Sequence, residues 1–349
     1  MLHLLRNIPC CEERVWHVAW SPDGLKFASC GEDRMVRVWS ITSPRDLLRS
    51  PNSIVCIATL EEGQSKTIRS CEWSSDGKLI ASASFDGTVV IWHSKDNSLR
   101  TWEKVASLEG HDSEVKSVSW SSDGNYLATC GRDKKVWVWE RLLEGDFECV
   151  AVLDGHTQDV KFVRWHPTAN VLFSSSYDDT IKIWMDDNDD WYCVNTLVGH
   201  SSTVWSLALD ATGSRLISVS DDKSAILWES ESSLDPSRHW SSTARLSGLH
   251  KSAVYTVDWS HHHGTIASGG GDNNISTISY SKVNSIHGSL HVEHTSSDCH
   301  DGDVNCVRWN PCSVAFSVGH DGTSCDSSCL LLSCSDDGSI KLWRYDVPQ

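Results

Sequence analysis

The chain has 349 residues, with 30 Lys and Arg against 47 Asp and Glu, so its formal charge is −17; this argues against nucleic acid as the main partner, because phosphate neutralisation needs a net basic footprint. Apolar residues make up 39% and charged residues 22%, an ordinary globular balance that excludes disorder and leaves room for two or three domains or one large all-β domain. No run reaches the length of a membrane-spanning helix, and the opening MLHLLRNIPCCEER lacks the apolar core and small-residue site of a secretory signal. No membrane partner is therefore expected, the cytoplasm is the expected compartment with the nucleus left open, and the 14 cysteines read as reduced thiols.

The first element is Leu2-His3-Leu4-Leu5-Arg6-Asn7, a short segment with the character of an outer strand. After it one phrase recurs, from Val/Ile-x-x-apolar-x-Trp through Asp-Gly to Asp-x(5)-Trp. Trp39, Trp92, Trp139, Trp184 and Trp228 close the first five copies, Ile278 takes that place in the sixth and Trp343 closes the seventh. The intervals are 53, 47, 45, 44, 50 and 65 residues, close to the ~40–45 of a four-stranded propeller blade with loop insertions. Apolar residues alternate within each copy, as in VKSVSW, YLATCG and VWVW of the third, which is the strand period. The reading is an all-β, seven-bladed β-propeller over residues 1–349. Only RYDVPQ follows Trp343, too little for an outer strand, so residues 2–7 are predicted to complete the last blade and close the ring.

Each copy carries a turn aspartate: Asp33, Asp86, Asp133, Asp178, Asp222, Asp272 and Asp337. Four residues before it stands Ser29, Ser82, Thr129, Ser174, Ser218, Ser268 or Ser333. His111, His156, His200, His250 and His300 lie four residues before the first apolar residue of their copies, so copies three, four, five and seven hold full His, Ser/Thr, Asp and Trp sets. With Gly110-His111, Gly155-His156, Gly199-His200 and the W-S-x-D-G phrase, the pattern resembles the WD40 repeat over nearly the whole chain, although Asp follows none of the terminal tryptophans. The resemblance implies that these sets are structural tetrads. Ser, His and Asp together also suggest a hydrolase, but a catalytic triad needs one exposed nucleophile beside an oxyanion hole, and here similar groups repeat in four copies. No P-loop, HExxH or nucleophile elbow occurs, so no catalytic residue and no enzymatic activity are expected.

Function on such a scaffold belongs to loops and strand ends. Residues flanking the first apolar position of each copy, and the residue before each turn Asp, should share one face. On that face copies two to four place Arg69, Lys116, Arg132 and Lys161 against Glu114 and Asp159, whereas copies five to seven place Asp221, Asp303 and Asp336. Trp16, Phe85, Tyr177, Trp205 and Tyr255 stand among them, and aromatic side chains with Arg often anchor interfaces. The predicted partner-binding set is Arg132, Arg69, Lys116, Lys161, Trp16, Tyr177 and Trp205. Arg132 is singled out as the one cation before a turn Asp, near a desolvated channel mouth where its fork could hold a carboxylate; the competing readings are a solvated rim and a salt bridge to a loop carboxylate.

Residues 12–230, in particular LEGHDSEVKSVSWSSDGNYLATCGRDKKVWVWE and the copies on either side, are similar to one WD40 group, the WD40 subunit of the cytosolic iron–sulfur protein assembly machinery. That resemblance implies a non-enzymatic adaptor in the late targeting complex. It would bind a small assembly protein and a HEAT-repeat scaffold subunit and present client iron–sulfur apoproteins, with the group's surface arginine falling on Arg132. The alternative within scaffolds is a ubiquitin-ligase substrate receptor or a chromatin adaptor; an F-box-like segment before the repeats and a Trp-Asp-x-Arg blade ending are both lacking.

An iron–sulfur role invites a search for ligands. Cys30, Cys130 and Cys334 share one strand position and read as core fillers; Cys10-Cys11 cannot chelate as an isolated pair. His261-His262-His263 reads as a hairpin turn, and His287, His291 and His294 as solvated residues before copy seven. Cys312, His320, Cys325 and Cys329 fall in an atypical insertion, residues 311–329. No resident metal or cofactor is expected. In copy six, Ile278 leaves His250 without an indole partner, which predicts a looser blade.

Overall fold

Every repeat opens with a strand whose apolar residues are buried: Val15–Trp20, Ile68–Trp73, Val115–Trp120, Val160–Trp165, Val204–Leu209, Val254–Trp259 and Val304–Trp309. In a computed structural model, which describes residues 1–41, 47, 53–96, 98–142, 145–187, 190–231, 239–283, 287–312, 314–315 and 327–346, these strands stand side by side around one axis. Each begins an antiparallel sheet that runs outward, in sequence order in all blades but the seventh, so the chain forms seven blades of a β-propeller. Blade one consists of Val15–Trp20, Lys26–Gly31, Val36–Ile41 and Ile54–Leu60.

The ring closes as the sequence predicts, over a longer segment. Leu2–Pro9 supplies the outer strand of blade seven, pairing with Ser339–Asp346 from Leu2 opposite Tyr345 to Pro9 opposite Ser339. The atypical insertion ends earlier than residue 329. Ser327–Ser335 is already a strand of blade seven, because the run Cys329-Leu330-Leu331-Leu332 is buried on both faces. Residues 316–326, with His320 and Cys325, lie outside the described residues.

The cores lie between blades. Cys30, Val36 and Val38 of blade one, for example, pack with Ile68, Cys71, Trp73 and Ile80 of blade two, and Cys30, Cys130 and Cys334 are buried as expected. Indole N–H groups add a second link: Trp20 donates to the Arg308 carbonyl, Trp73 to that of Ala19, Trp120 to that of Glu72 and Trp165 to that of Ser119, at 3.0–3.3 Å. Each of these bonds joins a blade to its predecessor.

The tetrads form in blades three, four, five and seven. In blade four the Trp184 indole donates to Ser174 Oγ at 2.8 Å, Ser174 Oγ lies 2.8 Å from His156 Nε2, and His156 Nδ1 lies 2.9 Å from Asp178. Blades three, five and seven repeat these contacts. Blade two reaches the same end with an amide, since Ser82 Oγ donates to Gln64 Oε1 at 2.8 Å and accepts from the Trp92 indole at 3.1 Å.

Blade six fills the place of its missing indole with another side chain. In blades four and five the glycine before the tetrad histidine faces the terminal tryptophan, and a Cβ at Gly155 or Gly199 would come within 3.0 or 2.9 Å of the indole. Blade six has Leu249 in that place, and Leu249 and Ile278 pack in one buried cluster. The large and small partners have exchanged sides, which conserves volume, while His250 keeps Ser268 at 2.9 Å and Asp272 at 2.8 Å.

One irregularity prepares the site. Each innermost strand carries a β-bulge immediately after its first residue, for instance between Val15 and His17, Ile68 and Ser70, and Val115 and Ser117, with the same shift in the other four blades. A bulge leaves one residue unpaired and re-aims it. The unpaired residues are Trp16, Arg69, Lys116, Lys161, Trp205, Tyr255 and Asn305, and they form a ring at one mouth of the central channel.

Candidate functional site: a basic and aromatic channel mouth

Five of the seven residues predicted to meet a partner are therefore bulge residues, brought together by the same backbone device. The Arg69 guanidinium lies over the Trp16 ring, 4.8 Å from its centroid. Lys161 stands between two aromatic faces, 5.2 Å from the Tyr177 ring and 5.0 Å from the Trp205 ring, an arrangement in which the ring quadrupoles favour the cation. Trp205 packs edge-on against Tyr255 at 5.4 Å. Asp159 bridges two lysines, at 2.8 Å from Lys116 Nζ and 3.5 Å from Lys161 Nζ. Burial lowers the Lys161 ammonium to about 8, and repulsion from Lys116 acts in the same direction.

Arg132 stands apart from this ring. The expectation of a desolvated channel mouth is corrected, for its side chain is 61% exposed on the outer rim and Nη1 donates to Glu114 Oε1 at 3.0 Å. The salt bridge to a loop carboxylate is thus present, with one arm of the guanidinium engaged. Hydrogen bonding from the Ser113 hydroxyl, then from Arg132, holds Glu114 below the usual carboxylate range. Arg132, Lys116, Lys161 and Tyr177 share one depression of about 650 Å³ including its open mouth, together with Phe85, Glu114, Gln158 and Asp159. Trp16 and Arg69, from blades one and two, continue the ring of bulge residues beside it.

Two neighbours escape the sequence reading. Arg308, from the far end of the last innermost strand, reaches across the channel to the Phe162 ring at 5.6 Å and donates to His17 Nε2 at 3.1 Å. His17 itself lines the channel beneath Trp16. Their signal was available as a position, since Arg308 stands four residues after Val304 where Arg164 and Glu72 stand in their blades, but that tier is buried below the mouth.

Among the described residues no group of three or more His, Cys, Asp or Glu side chains is placed to hold a metal ion, and no helix is long and apolar enough to cross a membrane. The described cysteines are free thiols. His261 and His262 occupy the expected turn, with their Nε2 atoms at the carbonyls of Leu209 (3.2 Å) and Pro311 (2.5 Å). His287, His291 and His294 lie on the outer strand of blade six, His287–Ser296.

Tetrad-bearing blades and a channel mouth built from bulge residues define a WD-repeat propeller. The family model described as WD domain, G-beta repeat matches residues 3–40, 54–93, 102–140, 147–185, 191–229, 241–277 and 323–344. Over 351 aligned residues the chain is 48% identical to Protein CIA1 of Arabidopsis thaliana, covering 95% of this chain and 93% of the relative. It is 42% identical to the probable cytosolic iron-sulfur protein assembly protein CIAO1 homolog of Chlamydomonas reinhardtii, covering 95% of each, and 39% identical to that of Schistosoma japonicum, covering 98% and 97%. The chain belongs to this WD40 family of cytosolic iron–sulfur protein assembly proteins.

Proposed function

We propose that the protein is a non-enzymatic scaffold in the late step of cytosolic iron–sulfur protein assembly, working through residues 1–349 as one propeller. It joins a small assembly protein and a HEAT-repeat subunit to client apoproteins of the cytosol and nucleus, and works in the cytoplasm. The names of relatives spanning nearly the full chain support the process. The observation that carries the docking reading is the grouping of Arg69, Lys116 and Lys161 with Trp16, Trp205 and Tyr177 at one mouth of a chain of charge −17. Such a patch receives an acidic, aromatic-containing segment, since complementarity of this kind sets encounter rate and specificity.

Arg132 is the rim contact, offering its unengaged arm to a partner carboxylate. Arg132→Glu should abolish capture of assembly partners in a pulldown while moving stability by no more than ~0.5 kcal/mol, as expected of an exposed substitution. Arg132→Lys should be intermediate, keeping charge and losing the planar fork. Full retention of every partner by folded Arg132→Glu would remove this residue from the docking face. The scaffold role further implies that protein purified without oxygen shows no stoichiometric iron or labile sulfide.

A further inference from the structure

Below the ring of bulge residues the channel narrows to a cup of about 310 Å³ including its open mouth. Four cations line it: Arg69, Lys116 and Lys161 on the wall, and Arg308 across the bottom. Among the described residues, one carboxylate, Asp159, is within ion-pair distance of any of them, and it serves only the two lysines. Cys306 lines the same cup, and although burial raises its thiol, Cys334, Arg308 and His17 hold it well below the usual thiol range, so one sulfur faces four cations and the charge stays positive. Buried like charges short of counterions are costly. The remaining polar groups are also short of partners. Ser70 Oγ, on a residue 2% exposed and lining the cup, has no hydrogen-bond partner, and neither has His17 Nδ1. The equivalent hydroxyls Ser117, Ser206 and Thr256 accept the N–H of Val163, Val257 and Val307 from the next blade, so the idle Ser70 is an exception to a repeated rule. Since His17 Nε2 accepts from Arg308, its proton resides on Nδ1. The indole N–H groups of Trp16 and Trp205 are buried and unpaired as well.

All of these idle groups can donate, and they come from blades one, two and five, on different sides of the axis. A planar monocarboxylate would be satisfied by a single guanidinium fork. Donors converging from several sides, under an excess of positive charge, suit a tetrahedral dianion instead. We propose that the cup is a binding site for one small tetrahedral oxyanion of the phosphate class, held by Arg69 and Arg308 with Ser70 and His17, beneath the face assigned above to protein docking. The inference concerns the free propeller and does not depend on the identity of any partner.

The test is equilibrium dialysis of the full chain against radiolabelled inorganic phosphate at fixed ionic strength, with acetate and sulfate as competitors. The expected result is saturable binding of one phosphate per chain, displaced by sulfate and not by equimolar acetate. Arg69→Gln should weaken it about tenfold to a hundredfold, the range for a hydrogen bond to a charged group. Ser70→Ala, which removes one hydroxyl without adding volume, should weaken it without altering the circular dichroism spectrum. Arg132→Glu on the rim should bind phosphate within a factor of about three of wild type, so loss of partner capture and loss of phosphate binding are separable outcomes. Absence of saturable binding, equal competition by acetate, or full binding by both Arg69→Gln and Ser70→Ala would overturn the proposal.

Discussion

Replacing Asp178 by alanine removes the acceptor at the end of a closed chain of donors. Asp178 accepts from His156 Nδ1 at 2.9 Å, from the Thr157 and Thr180 amides at 2.9 and 3.1 Å, and from the Thr180 hydroxyl at 2.6 Å. The amide and hydroxyl groups lie near the surface, where water can replace the carboxylate. The imidazole cannot be rescued in this way, because its side chain is fully buried. Exchanging tautomers is disfavoured: Ser174 Oγ already accepts the Trp184 indole, so accepting from His156 Nε2 as well would use its second lone pair and turn its own proton away from the ring. One orphaned buried N–H and the loss of charge-assisted bonds place the cost at ~3 kcal/mol. In blade six Ser268 receives no indole and can accept a proton from His250 Nε2 instead, leaving Nδ1 as a bare acceptor beside the Lys251 amide, which already donates to Asp272 at 2.8 Å. Asp272→Ala should therefore cost ~2 kcal/mol, about 1 kcal/mol less. Because a ring of blades need not unfold in two states, the comparison is of urea midpoints of the two variants under one protocol, with circular dichroism and tryptophan fluorescence as probes. Equal midpoints, or a larger drop for Asp272→Ala, would refute the account of indole-directed proton order.

The same network governs behaviour in acid. Burial pushes Asp133, Asp178, Asp222, Asp272 and Asp337 upward, but hydrogen bonds from the paired histidines and nearby donors outweigh it and hold all five below the usual carboxylate range. The unfolded chain then takes up protons first, so their stabilisation should be fully present above about pH 5 and fall away as the pH drops below ~4; a urea midpoint unchanged down to about pH 3 would contradict this. Leu249→Gly should open a cavity against Ile278 at a cost of ~2–4 kcal/mol, and Leu249→Gly combined with Ile278→Trp should recover part of it, a coupling read from a double-mutant cycle of denaturation midpoints. Removing residues 1–9 strips the strand that pairs with Ser339–Asp346 and should raise protease sensitivity throughout blade seven in limited proteolysis; an unaltered digestion pattern would speak against closure by this strand.

Much of this was legible in the residues, because a repeat prints the same contact many times. The spacing of His156, Ser174, Asp178 and Trp184 marks a tetrad once it is seen to recur with His200, Ser218, Asp222 and Trp228. Gln64 in blade two and Leu249 in blade six were not legible, since each departs from the pattern and is understood only beside a partner distant in sequence: Ser82 for the first, Ile278 for the second. The bulges were hidden for another reason. They shift the register by one residue at a place where apolar alternation is already short, so Arg69 and Ser70 can both face the channel although a regular strand would turn one away. Arg308 was invisible because its contact with Phe162 spans the ring and exists only when blades four and seven are in place. Arg132 was read as a surface arginine near a desolvated channel mouth, whereas its side chain stands out on the exposed rim, paired with the carboxylate of Glu114, a contact the sequence offered only as one of several readings.

Closure by Leu2–Pro9 also has a consequence in time. During synthesis this strand leaves the ribosome before the strands of blades one to six, and its partner Ser339–Asp346 leaves after them. At ~5–20 residues per second the wait is on the order of tens of seconds. Through that interval six blades can assemble as neighbours on a growing arc, each sheltering the edge of the one before, while the earliest strand stays unpaired and able to attach to another chain. A ribosome that stalls within the seventh repeat leaves an open arc with two raw ends. The pairing of Leu2 with Tyr345 is thus made only by a polypeptide translated through both positions, and it marks the difference between a closed ring and an open arc.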